Sequence, residues 1–186
     1  MAELEPRTGA LLVASPSLLD ANFAQTVVLL VDHDSDGTLG LVLNRPTEVA
    51  VASALPRLTA VVGDEAVIFS GGPVAPDHAI AVGSRAPGLR EPDWFRGVLG
   101  QVGLVDVDAL EDDRASVEEV RIYAGYAGWG AGQLEWEISE GAWFVVAATP
   151  ADLRSPSPLT LWRTVLRRQP APLAFASTWT PEYEWN

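Results

Sequence analysis

The chain has 186 residues, 48% of them hydrophobic, which is enough for one domain with a sizeable buried core. It contains no cysteine, so disulfides, thiolate metal sites and cysteine nucleophiles are excluded. Its twelve basic side chains are all arginine, set against twenty-five acids, and the net charge of −13 opposes contact with duplex phosphates.

Residues 1–8 read as a tail, 9–177 as a single domain and 178–186 as a C-terminal tail. The opening MAELEPRTG carries acids and no apolar signal region, and no apolar run approaches the roughly 18 residues of a membrane span. A cytoplasmic protein without a membrane partner is therefore expected. Gly9 to Ala14 is the first strand, ended by Ser15-Pro16. Asp20 to Gln25 is a turn or a single helical turn, with Phe23 facing inward. Thr26 to Val31 and Leu39 to Leu43 are strands, and the Asp32–Gly37 segment between them makes a hairpin. That DHDSDG segment also matches the first half of a calcium loop. Its twelfth position is Leu43 where a bidentate Glu is required, so a solvated turn is expected and no metal site.

Asn44-Arg45-Pro46 follows. Pro46 holds Arg45 in extended geometry, so its guanidinium is either a structural cap on carbonyls or an anion-facing group of a pocket. Val49 to Leu55 reads as a short helix closed by Pro56. The strand Ala66–Phe69 runs into Ser70-Gly71-Gly72-Pro73, which lacks both the GK[ST] of a phosphate loop and the context of a serine nucleophile. It is a tight turn or a stretch of ligand-contacting backbone. His78 to Val82 is a strand, Ser84 to Pro92 a loop, and Arg96 to Val105 apolar with interspersed glycine. Asp106 to Arg114 is a short acidic helix or a solvated turn.

The stretch Tyr123 to Trp143 reads as the organising element. Val120–Ala124 is a strand, and Gly125, Gly128, Gly130 and Gly132 predict an ordered, strained strand-to-helix turn. Ala131, Leu134 and Ile138 then fall on one helical face, Gly141 is placed as a C-cap, and Trp143–Ala148 is a buried strand. On this reading the turn gathers Tyr126, Trp129, Gln133 and the helix N-terminus, with Arg45 close by and Asn44 satisfying turn backbone groups. Pro150 to Pro158 is a connection. Thr160 to Gln169 is a helix with Leu159, Trp162, Val165 and Leu166 on one face, and Arg163, Arg167 and Arg168 near its end.

The string GYAGWGAGQLE, together with LNRP at Leu43–Pro46 and SGGPV at Ser70–Val74, resembles the YqgE/AlgH family of bacterial proteins, from Gly9 to about Arg168. The resemblance implies an α/β (α+β) fold: a single compact domain with a bent, barrel-like mixed sheet surrounded by helices. The family is treated as lacking an assigned activity or as transcriptional regulators linked to alginate control, and it has no agreed catalytic residues. From Pro170 onward the chain departs from the family pattern.

Two histidines, His33 and His78, and no recognisable nucleophile context leave no catalytic, metal or cofactor assignment. A regulatory or binding protein is expected, acting through a protein partner or a small anionic ligand. Its candidate ligand residues are Asn44, Arg45, Gly71, Gly72, Tyr126, Trp129 and Gln133. The alternatives are a regulator contacting DNA directly, against which the charge and the lack of a helix-turn-helix pattern argue, and an unrecognised enzyme.

Overall fold

The structure is a computed structural model and describes residues 4–85, 91–108 and 117–180. The early apolar runs form strands covered on both faces. In β1 (Ala10–Ala14), Leu11 and Val13 enter one core, while Ala10, Leu12 and Ala14 enter another. The same alternation divides β2 (Val27–Asp34), with Val27 and Leu29 on one side and Val28 and Leu30 on the other. β2 and β3 (Gly37–Val42) form the expected hairpin, with Asp34 paired to Gly37. Asp34 Oδ1 closes the turn by accepting the Asp36 N–H at 2.8 Å and the Gly37 N–H at 3.2 Å.

Beyond the hairpin the chain adds β4 (Pro46–Ala50), α1 (Val51–Ala54), a 3-10 turn at Pro56–Leu58, α2 (Thr59–Val62) and β5 (Val67–Ser70). Then come β6 (Val74–Arg85), β7 (Phe95–Leu99), β8 (Val102–Val105) and the long β9 (Val117–Gly130). The last elements are α3 (Gln133–Ser139), β10 (Trp143–Ala147), α4 (Pro150–Leu153), α5 (Leu161–Arg167) and a 3-10 segment at Leu173–Thr178. The main sheet runs β10-β1-β2-β3-β9-β6-β8-β7, with β4 and β5 attached beside β9. Among the described residues every pairing is antiparallel except that of β5 with β9.

β9 is the spine. One edge carries β6 from Val117 to Tyr126; the other carries β5 at Ile122–Ala124 and then β3 at Ala127–Gly130. The sheet curls into a half-barrel. Arg96 on β7 donates to the carbonyl of Val31 at 3.2 Å, and Gly9 sits so near β7 that a Cβ there would lie 2.7 Å from Val98 O. The concave core includes Leu11, Leu29, Leu41, Tyr123, Trp162 and Leu166 and is closed by α5, whose Trp162 indole donates to Ala14 O at 2.8 Å. A second core under α1 and α2 holds Val51, Leu58, Ile68, Phe95 and Ile122. A third, on the outer face under α3, holds Leu12, Leu30, Trp129, Leu134 and Trp143.

Several expectations are corrected. The glycine-rich stretch is not a strand-to-helix turn: β9 continues through Gly125, Gly128 and Gly130, and only Ala131-Gly132 turns. Hydrogen bonding from β3 and β6 on either side keeps it extended. The expected helix at Val49–Leu55 shortens to α1, because Pro46–Ala50 is captured as a strand by β5. The Pro150–Pro158 connection contains α4, whose Thr149 and Asp152 form a reciprocal capping box. Leu159 does not join the buried face of α5 but is 78% exposed in the 3-10 turn ahead of it. Ser84 and Arg85 belong to β6, not to a loop. Part of that expected loop (86–90), most of the acidic segment (109–114) and the last tail residues (181–186) lie outside the described residues.

Candidate functional site

The site begins where β3 ends. Asn44 is buried and faces the turn before β2. Its Oδ1 accepts the Val27 N–H at 2.9 Å, and its Nδ2 donates to Gln25 O at 2.9 Å. It therefore serves the Gln25–Val27 backbone, where Gln25 has φ +56°, and not the glycine-rich stretch as expected. Arg45 reaches the same turn: Nη1 donates to Ala21 O at 2.9 Å and Nη2 to Ala24 O at 3.2 Å. These two bonds use two of the five guanidinium N–H groups. Thus Asn44 and Arg45 clamp the segment that carries Phe23, whose ring packs on the third core as the sequence suggested.

Gly71 and Gly72 meet this corner from β5. The Ser70 N–H donates to Arg45 O at 2.8 Å, the Gly71 N–H to Ala124 O at 2.8 Å, and the Val42 N–H to Gly71 O at 2.9 Å. Gly71 therefore bridges β9 and β3 at the place where β9 changes partner. The fit is backbone on backbone: a Cβ on Gly71 would lie 2.2 Å from Gly125 O, and one on Gly72 would lie 2.2 Å from the Tyr126 carbonyl carbon. Gly125 completes the fit with φ +70°, a conformation in which a side chain is strained. Its left-handed turn also shifts the alternation of β9. Tyr123 and Tyr126, three residues apart, both pack against the concave core, and Trp129 enters the outer one.

The result is an open cleft of about 340 Å³ lined by Asn22, Val42, Arg45, Ser70, Gly72, Pro73 and Pro76. It brings together Arg45 and Gly72, whose backbone rests on the Tyr126 peptide, while the buried Gly71 and the Tyr126 side chain stay outside the lining. Arg45 thus lies by the Gly125 end of the glycine-rich stretch. Asn44 sits behind the Arg45 corner, outside the lining. Trp129 and Gln133 are not part of the cleft; Trp129 lies in the third core and Gln133 is exposed at the start of α3, bonded to the Gly130 N–H. Asn22 and Ser70 were not among the sequence candidates. The turn carrying Asn22 was legible, but the contacts that set it beside Arg45 come from about twenty positions later in the chain.

Trp129 and Gln133 belong to a different device. The Trp129 and Trp143 indoles both donate to Glu137 Oε2, at 3.0 and 2.8 Å, while Gln133 Nε2 donates to Glu137 Oε1 at 3.0 Å. The Gly130 N–H donates to Gln133 Oε1 at 3.1 Å. The two indoles meet edge to face with centroids 5.9 Å apart, and Phe23 contacts both, at 6.1 and 5.5 Å. The helical spacing put Ala131, Leu134 and Ile138 on one face and gave Glu137 no role. The signal it missed is that two buried indoles need an acceptor.

The remaining polar groups are dispersed. His33 shares a hydrogen bond with Thr38 Oγ1 at 2.7 Å and approaches Glu135 at 3.7 Å, whereas His78 lies exposed beside Asp77 at 3.2 Å. A backbone hydrogen bond, helped by His78, holds the Asp77 carboxyl below its ordinary range. No grouping of three or more metal-type side chains occurs among the described residues. The arginines of α5 separate: Arg163 donates to Ser177 O and lies against the Trp162 ring, and Arg168 pairs with the buried Asp152. No described helix is long and apolar enough to cross a membrane.

Comparison with known proteins agrees with this geometry. A family model described as AlgH-like matches residues 11–174. A UPF0301 protein of Streptomyces coelicolor is 49% identical over 190 residues, covering 100% of this chain and 98% of that protein. One from Rhodococcus erythropolis is 38% identical, covering 100% and 95%. The crystal structure of a Corynebacterium diphtheriae protein superimposes with a TM-score of 0.89 at 34% identity, over 96% of this chain and 95% of that one. The solution structure of the AlgH protein from Pseudomonas aeruginosa gives 0.70 at 32% identity, over 98% and 100%.

Proposed function

This chain belongs to the AlgH-like family, and since that membership carries a fold without an assigned activity, we propose from the site itself that it is a non-enzymatic regulatory module. It takes a small anionic ligand at the Arg45 cleft and passes the signal to a protein partner, in the cytoplasm. One observation carries this reading: three motifs far apart in sequence, Asn44-Arg45, Ser70-Gly71-Gly72 and Gly125-Tyr126, are fitted backbone to backbone around one open cleft holding a guanidinium. The cleft sets one guanidinium, an amide and a hydroxyl beside Val42, Pro73 and Pro76, so polar and apolar groups converge on the same space.

The charge pattern supports action without direct DNA contact. Arg57, Arg96, Arg154 and Arg168 are paired with Asp108, Asp32, Glu119 and Asp152 at scattered positions, so no basic face gathers there for phosphates. A thermal-shift screen of small anions at physiological salt tests the reading. Stabilisation by at least one anion at millimolar concentration, lost in Arg45→Gln, is expected. A screen with no hit, or hits unchanged in that variant, overturns it. A mobility-shift assay at the same salt is expected to show no specific duplex complex.

A further inference from the structure

Among the described residues, the lining of the Arg45 cleft contains a single cation and otherwise neutral side chains. Arg45 keeps three N–H groups beyond those given to Ala21 O and Ala24 O, and a planar carboxylate needs two. The other polar lining groups, the Asn22 amide and the Ser70 hydroxyl, are neutral, and the remaining lining is Val42, Gly72, Pro73 and Pro76. Acids stand at the margins: Asp20 holds the Asn22 N–H at 2.9 Å, and Asp77 follows Pro76. A second negative charge on a ligand would find no partner in the lining, within a chain of net charge −13. Resting on the anion-binding reading above, we propose that the ligand class is a small monocarboxylate with an apolar body, rather than a phosphate ester or a polycarboxylate.

The same geometry supplies a route out of the cleft. Asn22 lines it, and the next residue, Phe23, sits edge-on to Trp143 and tilted to Trp129. The Arg45 guanidinium holds carbonyls on both sides of Phe23. A carboxylate drawing on that guanidinium therefore alters the seating of the Ala21–Gln25 turn, and the two indole N–H groups on Glu137 feel the change.

The test is NMR titration of the full chain, following the backbone amides of Ala21–Gln25 and the indole N–H signals of Trp129 and Trp143. The probes are propionate, isobutyrate and hexanoate, against inorganic phosphate and sulfate at matched ionic strength. Carboxylates are expected to shift these signals with a Kd of roughly a millimolar or below, and phosphate to bind at least about tenfold more weakly. Arg45→Gln should weaken carboxylate binding at least about tenfold, the factor expected for one charge-assisted contact. Asn22→Ala, at an exposed position, should weaken it a few-fold with the fold intact and decides the matter if the Arg45 variant does not fold. Phosphate or sulfate binding as tightly as carboxylate overturns the ligand class and leaves the anion site standing. Silence from every anion overturns both. Carboxylate binding unchanged in the folded variants places the site elsewhere and overturns the proposal.

Discussion

Replacing Glu137 by Ala removes the acceptor shared by two indoles, and the structure sets the size of the effect. Trp129 and Trp143 are 5% and 3% exposed, so their N–H groups lose their partner in a nearly dry setting. A hydrogen bond to a charged group is worth about 1.5–3 kcal/mol, and Glu137 is only half-buried, so incoming water recovers part of that. The Gln133 contact is an exposed i,i+4 pair and adds only a few tenths. A total of about 2–3 kcal/mol is expected for Glu137→Ala, or roughly 4–12 °C in Tm for a chain of this length. Glu137→Gln retains one carbonyl oxygen for both indoles and should lose about 1 kcal/mol or less. Urea unfolding followed by circular dichroism and by tryptophan emission measures both variants. If Glu137→Ala lies within about 0.5 kcal/mol of the parent, or Gln is as damaging as Ala, the shared hydrogen bond does not hold α3 to the sheet.

Gly125→Ala should destabilise by about 2 kcal/mol or more, since φ is +70° and the new Cβ would lie 2.7 Å from both Gly72 O and Val74 O. Gly130→Ala meets only Gln133 Oε1 at 4.0 Å and should stay within about 0.5 kcal/mol of the parent; equal effects in chemical unfolding would remove close backbone approach as the explanation. Tyr123 is fully buried, its hydroxyl finds no hydrogen-bond partner among the described residues, and burial pushes its pKa up to about 12, partly offset by the Arg121 guanidinium. The phenol must stay protonated in the folded state. Its contribution is therefore complete below about pH 10 and declines by roughly 2–3 kcal/mol as pH rises to about 12. Tyr123→Phe should be neutral or stabilising at pH 7 and should flatten that decline in melts across alkaline pH; an unchanged decline would place the titrating group elsewhere. Millimolar calcium should leave Tm unchanged, because Asp34 Oδ1 is engaged by two turn N–H groups and Leu43 is fully buried where the closing Glu would be required. A calcium-dependent rise in Tm that disappears in Asp34→Ala would contradict this.

Much of the fold was legible because its cause is local. The β2–β3 hairpin follows from two apolar runs around Asp34 and Gly37, the inward Phe23 from a lone aromatic in a polar turn, and the end of α3 from Gly141, whose φ is +76°. The buried face of α5 follows from the spacing of Trp162, Val165 and Leu166. The family string GYAGWGAGQLE was legible too, but its glycine density suggested a turn when three of the four glycines lie in a strand. Close approach is a property of two chain segments, and one segment alone cannot show which neighbour arrives. Only the tertiary structure decides that Gly71 and Gly72 pack on Gly125 and Tyr126, about fifty residues away. That same fit shifts the alternation of β9, so Tyr123 and Tyr126 share one core, and the extended strand beyond them sends Trp129 to the other although the sequence had grouped it with Tyr126. Asn44 likewise serves a turn nearly twenty residues earlier, and Glu137 is drawn to indoles on two strands. Periodicity and capping fix which elements form; the unsatisfied donors and acceptors left at their ends are matched only once the sheet has curled.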